Sequence, residues 1–174
     1  MSSTTEKSIA RLAESLTSEN LKLVTAESCT GGLVAAALTC VAGSSEWFEG
    51  GFVTYQLSAK KKFLGVQPAT LERWGAVSEP TAREMAEGAL DHSSADLSVA
   101  ITGIAGPSGG DVTSPTGTVW IAWARRSDDM VHAAQYRFLG DRAAVRELAL
   151  EKAIWGLLRL VDDELPGNSS RYAA

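Results

Sequence analysis

The sequence predicts an α/β domain of three layers, with helices on both faces of a mixed, mostly parallel sheet. Three observations carry this. Strand-like apolar runs alternate with helical periodicity through Thr102, two of those runs empty into glycine-rich loops, and two β-branched and aromatic runs near the end flank a short charged turn, the mark of an antiparallel hairpin. The 174 residues, 45% hydrophobic, suffice for one domain with its own core. No repeat, linker or composition shift divides them, so residues 1–174 read as one unit that frays from about residue 163.

Ile9, Leu12, Ala13 and Leu16 recur at helical spacing and define a surface helix. A strand over residues 21–24 runs through Thr25-Ala26-Glu27-Ser28-Cys29-Thr30-Gly31-Gly32 into residues 33–38, apolar on all sides as a buried helix is. Residues 41–45 form a turn, and residues 47–55 a loop feeding a strand. Ser58 suits the cap of a helix over residues 59–64 that Gly65 stops. A short helix over 68–74 ends at Gly75, and Ser78-Glu79-Pro80 opens a longer one to about Leu90. Residues 97–102 are a strand leading into the loop Gly103-Ile104-Ala105-Gly106-Pro107-Ser108-Gly109-Gly110. Residues 118–124 and 130–138 pair as the hairpin, Asp141 caps a last helix to about Val161, and residues 166–170 belong to the tail.

Bulk properties exclude several classes. A formal net charge of -5 argues against a nucleic-acid or membrane-surface partner, both of which reward the opposite sign. Cys29 and Cys40 lie in or beside the second helix and form no disulfide framework, which suits a reducing compartment. The first residues have no apolar signal region, and no run reaches membrane-spanning length, so a soluble cytoplasmic protein is expected. The two histidines, His92 and His132, lack metal-ligand spacing, and no His/Cys/Asp cluster supports a metal hydrolase.

The stretch from Thr25 to Gly32 is where chemistry is expected. A strand ending in Ser-x-Thr-Gly-Gly before a helix places hydroxyls and free N–H groups at the helix's positive end, where anions and oxyanions are favoured. Ser28 is the candidate nucleophile; Thr30 as a plain helix cap explains the same residues. Ligand sites in such sheets lie beyond the carboxyl ends of the strands, so Ser28, the region after Tyr55 and the Thr102 to Gly110 loop are expected to converge on one cleft. A serine can pair with a lysine whose charge is disfavoured. Lys60 qualifies if burial, the helix end and the neighbouring Lys61 and Lys62 push its ammonium towards neutrality, although a solvated helix face accounts for Lys60-Lys61-Lys62 as well.

Taken together, Ala26-Glu27-Ser28-Cys29-Thr30-Gly31-Gly32, Gly43-Ser44-Ser45, Gly50-Gly51-Phe52-Val53-Thr54-Tyr55, Lys60 with Leu64-Gly65-Val66, Gly75-Ala76-Val77-Ser78, Thr102-Gly103-Ile104-Ala105-Gly106-Pro107, Gly117-Thr118-Val119 and Gly140-Asp141-Arg142 resemble the CinA C-terminal domain family, in particular its stand-alone nicotinamide-nucleotide amidases. The resemblance runs from about Ile9 to Leu160. It implies hydrolysis of the carboxamide of nicotinamide mononucleotide to nicotinate mononucleotide and ammonia, in a bacterial cytoplasm, with no metal or cofactor and usually as a homo-oligomer. It places the serine nucleophile on Ser28 and the lysine base on Lys60, with N–H groups near Thr30, Gly31 and Gly32 for the oxyanion. Tyr55 is then a ligand to the pyridine or an orienter of Lys60, unless it is a strand aromatic in the core. Ser45, Thr102 and the main chain of Gly103, Ala105 and Gly106 contact ribose and phosphate on this reading. Arg142 pairs with the phosphate and Arg146 lies one turn further along the same helix face, each alternatively a surface partner for Asp141 or Glu147.

Two positions depart from the family pattern. Leu57 stands where an asparagine amide is common, and Ser114 where a lysine is common, so the site lacks one hydrogen-bonding group and one charge. A relative that binds a pyridine nucleotide or a protein partner without turning it over is the alternative these departures leave open. The larger fused members carry a further N-terminal domain, whose function does not transfer.

Overall fold

Period-two alternation along the first strand sets the arrangement of both faces. In the computed structural model, which describes residues 2–127 and 129–164, β1 (Leu23–Glu27) is buried along its whole length. Val24 and Ala26 join the core on one face, while Leu23 joins the core on the other. By the same alternation Glu27 looks towards the second face and Ser28, the next residue, towards the first. β1 extends three residues beyond the expected end because it is paired on both sides, with Glu27 opposite Val53 and Ile101.

Five strands lie in the order β2-β1-β3-β4-β5, where β2 is Phe48–Val53, β3 Leu97–Gly103, β4 Thr118–Arg125 and β5 Met130–Arg137. β1 is parallel to β2 and to β3, and the hairpin adds two antiparallel ladders. Four strands therefore share one direction and β4 alone opposes them, the mixed and mostly parallel sheet expected.

One face carries α1 (Ser3–Ser18), α2 (Leu33–Thr39) and α6 (Arg142–Val161), packed through Ile9, Leu12, Leu38, Ile154 and Leu157. The other carries α3 (Leu57–Leu64), α4 (Pro68–Trp74) and α5 (Glu79–Asp91). There Ala82, Ala86 and Ala89 let α5 lie close against Ala100, Ala122 and Ala124 of the sheet. Gly88 brings α5 against the backbone of α3 itself, since a Cβ there would overlap the Leu64 carbonyl oxygen. That contact fixes α3, the helix bearing Lys60.

Side chains cap the long helices: Ser2 for α1, Ser78 for α5 and Asp141 for α6 each accept the N–H three residues on. Gly65 ends α3 in the left-handed conformation, with φ of 69°. Two expectations need correction. α3 begins at Leu57, because the Gln56 carbonyl already accepts the N–H groups of Ala59 and Lys60, so Ser58 lies inside the first turn and caps nothing. α2 is buried on one side only, through Val34, Ala37 and Leu38, and Cys40 beyond it is exposed, because the sheet covers just one face of this helix. The tail at residues 166–170 and Asp128 in the hairpin turn lie outside the described residues.

Candidate active site

The carboxyl ends of β1, β2 and β3 open at one edge of the sheet, and there Ser28 meets Lys60. Lys60 Nζ lies 2.8 Å from Ser28 Oγ, 2.6 Å from the Thr54 carbonyl oxygen and 3.5 Å from that of Tyr55. Alternation aims Ser28 at the α3 face, and α3 returns Lys60 to it from the end of its first turn. Lys60 is fully buried and Ser28 only 8% exposed. Burial disfavours the ammonium and lowers the Lys60 pKa to about 8. Lys61 and Lys62 are exposed and play no part in that shift, contrary to the sequence-based expectation. The solvated-face account of the three lysines holds for Lys61 and Lys62 and fails for Lys60.

The three oxygens around Nζ can each accept from an ammonium, and the same set also serves the uncharged amine. Two hydrogens of an uncharged Nζ can go to the Thr54 and Tyr55 carbonyls, which leaves its lone pair for the Ser28 hydroxyl proton. The neighbouring Cys29 does not compete: burial pushes its thiol up to about 11, so it carries no charge near neutrality.

Glu27 reshapes the turn after Ser28, and it was not anticipated. Its fully buried carboxylate accepts the N–H groups of Gly32 at 2.9 Å, Val34 at 3.1 Å and Ala35 at 2.8 Å, with Thr25 Oγ1 at 3.5 Å. A carboxylate on the preceding strand thus caps α2, and Thr30 does not; the Thr30 hydroxyl is buried without a partner among the described residues. Gly31, at φ of 60°, gives its N–H to the Ser28 carbonyl. The N–H groups of Gly31 and Gly32 are therefore engaged, while among the described residues no main-chain carbonyl takes up those of Cys29 and Thr30. Strand alternation, which points Glu27 at α2, was the signal available for this residue.

Arg142, the first residue of α6, spans the mouth. Its Nη1 donates to the Gly106 carbonyl at 2.8 Å and its Nη2 to Tyr55 Oη at 2.9 Å, tying the loop after β3 to the segment after β2. Tyr55 is 53% exposed, which removes the core-aromatic account of it. Arg146 Nη2 donates to the Thr30 carbonyl at 2.7 Å. Neither arginine is a mere surface partner of its own helix.

Two predicted contacts are not gathered here. Ser45 lies in a 3-10 turn (Ser44–Glu46) at the amino end of β2, where Phe48 pairs with Leu23. Five strand residues, roughly 16 Å, separate that level from Ser28. Thr102 is 1% exposed and donates its hydroxyl to the Ala76 carbonyl at 2.7 Å, so it anchors the α4–α5 connection. Ala105 puts its side chain into the core, leaving only its main chain for a ligand; Gly103 ends β3 beside Val119, and Gly106 faces the mouth through its carbonyl. His92 bonds the Gly88 carbonyl and His132 stacks on Trp123, both away from Ser28. Among the described residues no group of side chains is arranged to hold a metal ion, and no helix is long and apolar enough to cross a membrane.

Fold and site together define an α/β protein that sets a serine hydroxyl against a buried amine at the carboxyl edge of its sheet. Residues 5–161 match the model of the CinA C-terminal domain, and the chain belongs to that family. It is 52% identical over 132 residues to the nicotinamide-nucleotide amidohydrolase PncC of Enterobacter agglomerans, covering 76% of this chain and 78% of that one. It is 49% identical over 143 residues to a CinA-like protein of Akkermansia muciniphila, covering 82% of this chain but only 34% of that longer protein. The crystal structure of the competence/damage inducible protein CihA from Agrobacterium tumefaciens superposes with a TM-score of 0.90 at 42% identity, covering 92% of this chain and 97% of that one.

Proposed function

We propose that this protein hydrolyses the carboxamide of nicotinamide mononucleotide, with Ser28 as nucleophile and Lys60 as general base. The observation that carries the reading is the 2.8 Å contact between a buried amine and a serine hydroxyl, the amine's other hydrogens facing two carbonyl oxygens. Lys60 takes the Ser28 proton as Oγ bonds to the amide carbon, and the Cys29 and Thr30 N–H groups receive the developing oxyanion. The C–N bond then breaks, and the Lys60 ammonium returns a proton to the departing nitrogen, which leaves as ammonia. A water, deprotonated by Lys60, attacks the Ser28 ester, frees the carboxylate product and restores both residues.

The choice of substrate is supported by likeness to proteins named for this activity. Charge is consistent with it: among the described residues Arg142 bonds neutral acceptors, Tyr55 Oη and the Gly106 carbonyl, either of which an anionic phosphate can displace. The test is ammonia release from nicotinamide mononucleotide. The wild type is expected to release it, while Ser28→Ala and Lys60→Ala lose about 10⁴-fold or more in kcat. Release that survives either substitution removes the dyad. Saturable nucleotide binding by a wild type that releases nothing selects the non-catalytic alternative.

A further inference from the structure

Removing the charge of α2 from the site leaves an electrostatic gap. Glu27 absorbs three N–H groups at the amino end of that helix, so its positive end is neutralised before it can act on an oxyanion at Ser28. The two N–H groups left for that task belong to a short turn, Ser28 to Gly31, closed by one hydrogen bond from the Gly31 N–H to the Ser28 carbonyl. The far side of the turn is gripped from a distant element. Arg146, 116 residues on, donates Nη2 to the Thr30 carbonyl at 2.7 Å, an oxygen that also accepts the Leu33 N–H at 3.2 Å.

We propose that Arg146 is a positioning residue for the oxyanion site: its guanidinium holds the Cys29-Thr30 turn in register beneath Ser28 and supplies the positive potential that α2 does not. The inference rests on the reading of Ser28 and Lys60 as the reacting pair. Arg146 acts from a rigid support, because Val145, Ala149 and Leu150 bury the adjoining face of α6. Its Nη2 lies 4.0 Å from where a Cβ on Gly31 would stand, an ordinary van der Waals distance that places the guanidinium directly beside the turn. Arg142, one turn earlier, reaches Tyr55 and Gly106 instead, so the two arginines divide the work between the mouth and the turn.

The experiment measures how fast a fluorophosphonate labels Ser28, a reaction that needs no natural substrate. Ser28 Oγ bonds to phosphorus, fluoride leaves, and the serine proton passes to Lys60; the phosphoryl oxygen needs the same donors as an oxyanion. Arg146→Ala is expected to label about 100-fold more slowly, the cost of an ångström-scale misplacement, and millimolar guanidinium ion to restore part of the rate. With nicotinamide mononucleotide the loss is expected in kcat with KM unchanged. Arg146→Lys, a point charge on a shorter arm, is expected between the two and serves if the alanine variant does not fold. Labelling at the wild-type rate in either variant, a deficit that guanidinium leaves untouched in folded Arg146→Ala, or a rise in KM alone overturns the proposal. A wild type that is not labelled at Ser28 instead overturns the Ser28 and Lys60 reading.

Discussion

Titrating Lys60 tests the proposed chemistry without altering a single atom of the protein. A base must be unprotonated, and burial sets the Lys60 pKa at about 8 in place of the ordinary 10.5. The free-amine fraction is then about 9% at pH 7, about 50% at pH 8 and about 90% at pH 9. The kcat/KM for ammonia release is expected to rise about tenfold from pH 7 to pH 9 and to level off by about pH 10. A solvated lysine would give a rise of about 100-fold over the same two units, and it would still be climbing beyond them. Cys29 leaves the profile clear, since its thiolate would raise the Lys60 pKa but forms only towards about pH 11. The assay follows ammonia at low substrate across this range, with buffers overlapped. A rate that is flat from about pH 7 to pH 9, or one still rising steeply at about pH 10, refutes the neutral-amine argument.

The same group makes stability depend on pH. The unfolded chain binds the Lys60 proton more tightly than the fold does, so the penalty for burying the ammonium is complete below about pH 8 and is relieved as pH rises from there towards 10.5. Cys29 acts in the opposite direction between 9 and about 11, because the fold favours its neutral thiol. The net gain from pH 7 to pH 9 is about 1 kcal/mol, measured by denaturant titration, and its absence in Lys60→Met identifies the lysine. Glu27→Gln removes the charge that binds three N–H groups of α2 and is expected to lower stability by about 2–3 kcal/mol; an unchanged denaturation midpoint would contradict the capping role. Gly88→Ala forces α3 away from α5 and is expected to cost about 1–3 kcal/mol and to lower kcat by displacing Lys60, whereas full activity at reduced stability would show that α3 does not fix the amine. Tyr55→Phe removes the hydroxyl that accepts from Arg142 on an exposed side chain, so stability is expected to stay within about 0.5 kcal/mol while nucleotide affinity changes.

Much of this protein is fixed by local chemistry and was legible in the chain. Helix periodicity, Ser and Asp caps, glycine stops and the hairpin's two apolar runs act over a few residues, so α4, α5, β3, β4, β5 and α6 fall within a residue or two of where pattern places them, and α1 forms around the periodic residues Ile9 to Leu16. Ser28 and Lys60 were legible as candidates, each on its own element. Whether Lys60 is a solvated cation or a buried amine was not, because that depends on what α5 and the sheet lay over it, and Lys61 and Lys62 beside it are exposed. Ser45 and Thr102 show the same divide: both belong to recognisable motifs, but strand direction puts the first at the wrong edge and side-chain alternation turns the second onto the Ala76 carbonyl. Glu27 and Arg146 act on groups that only folding brings near them, across the start of a helix and across 116 residues. Sequence determines such residues by type; register and packing decide which charges lose their water and which hydrogen bonds replace it, and that exchange sets what the site can do.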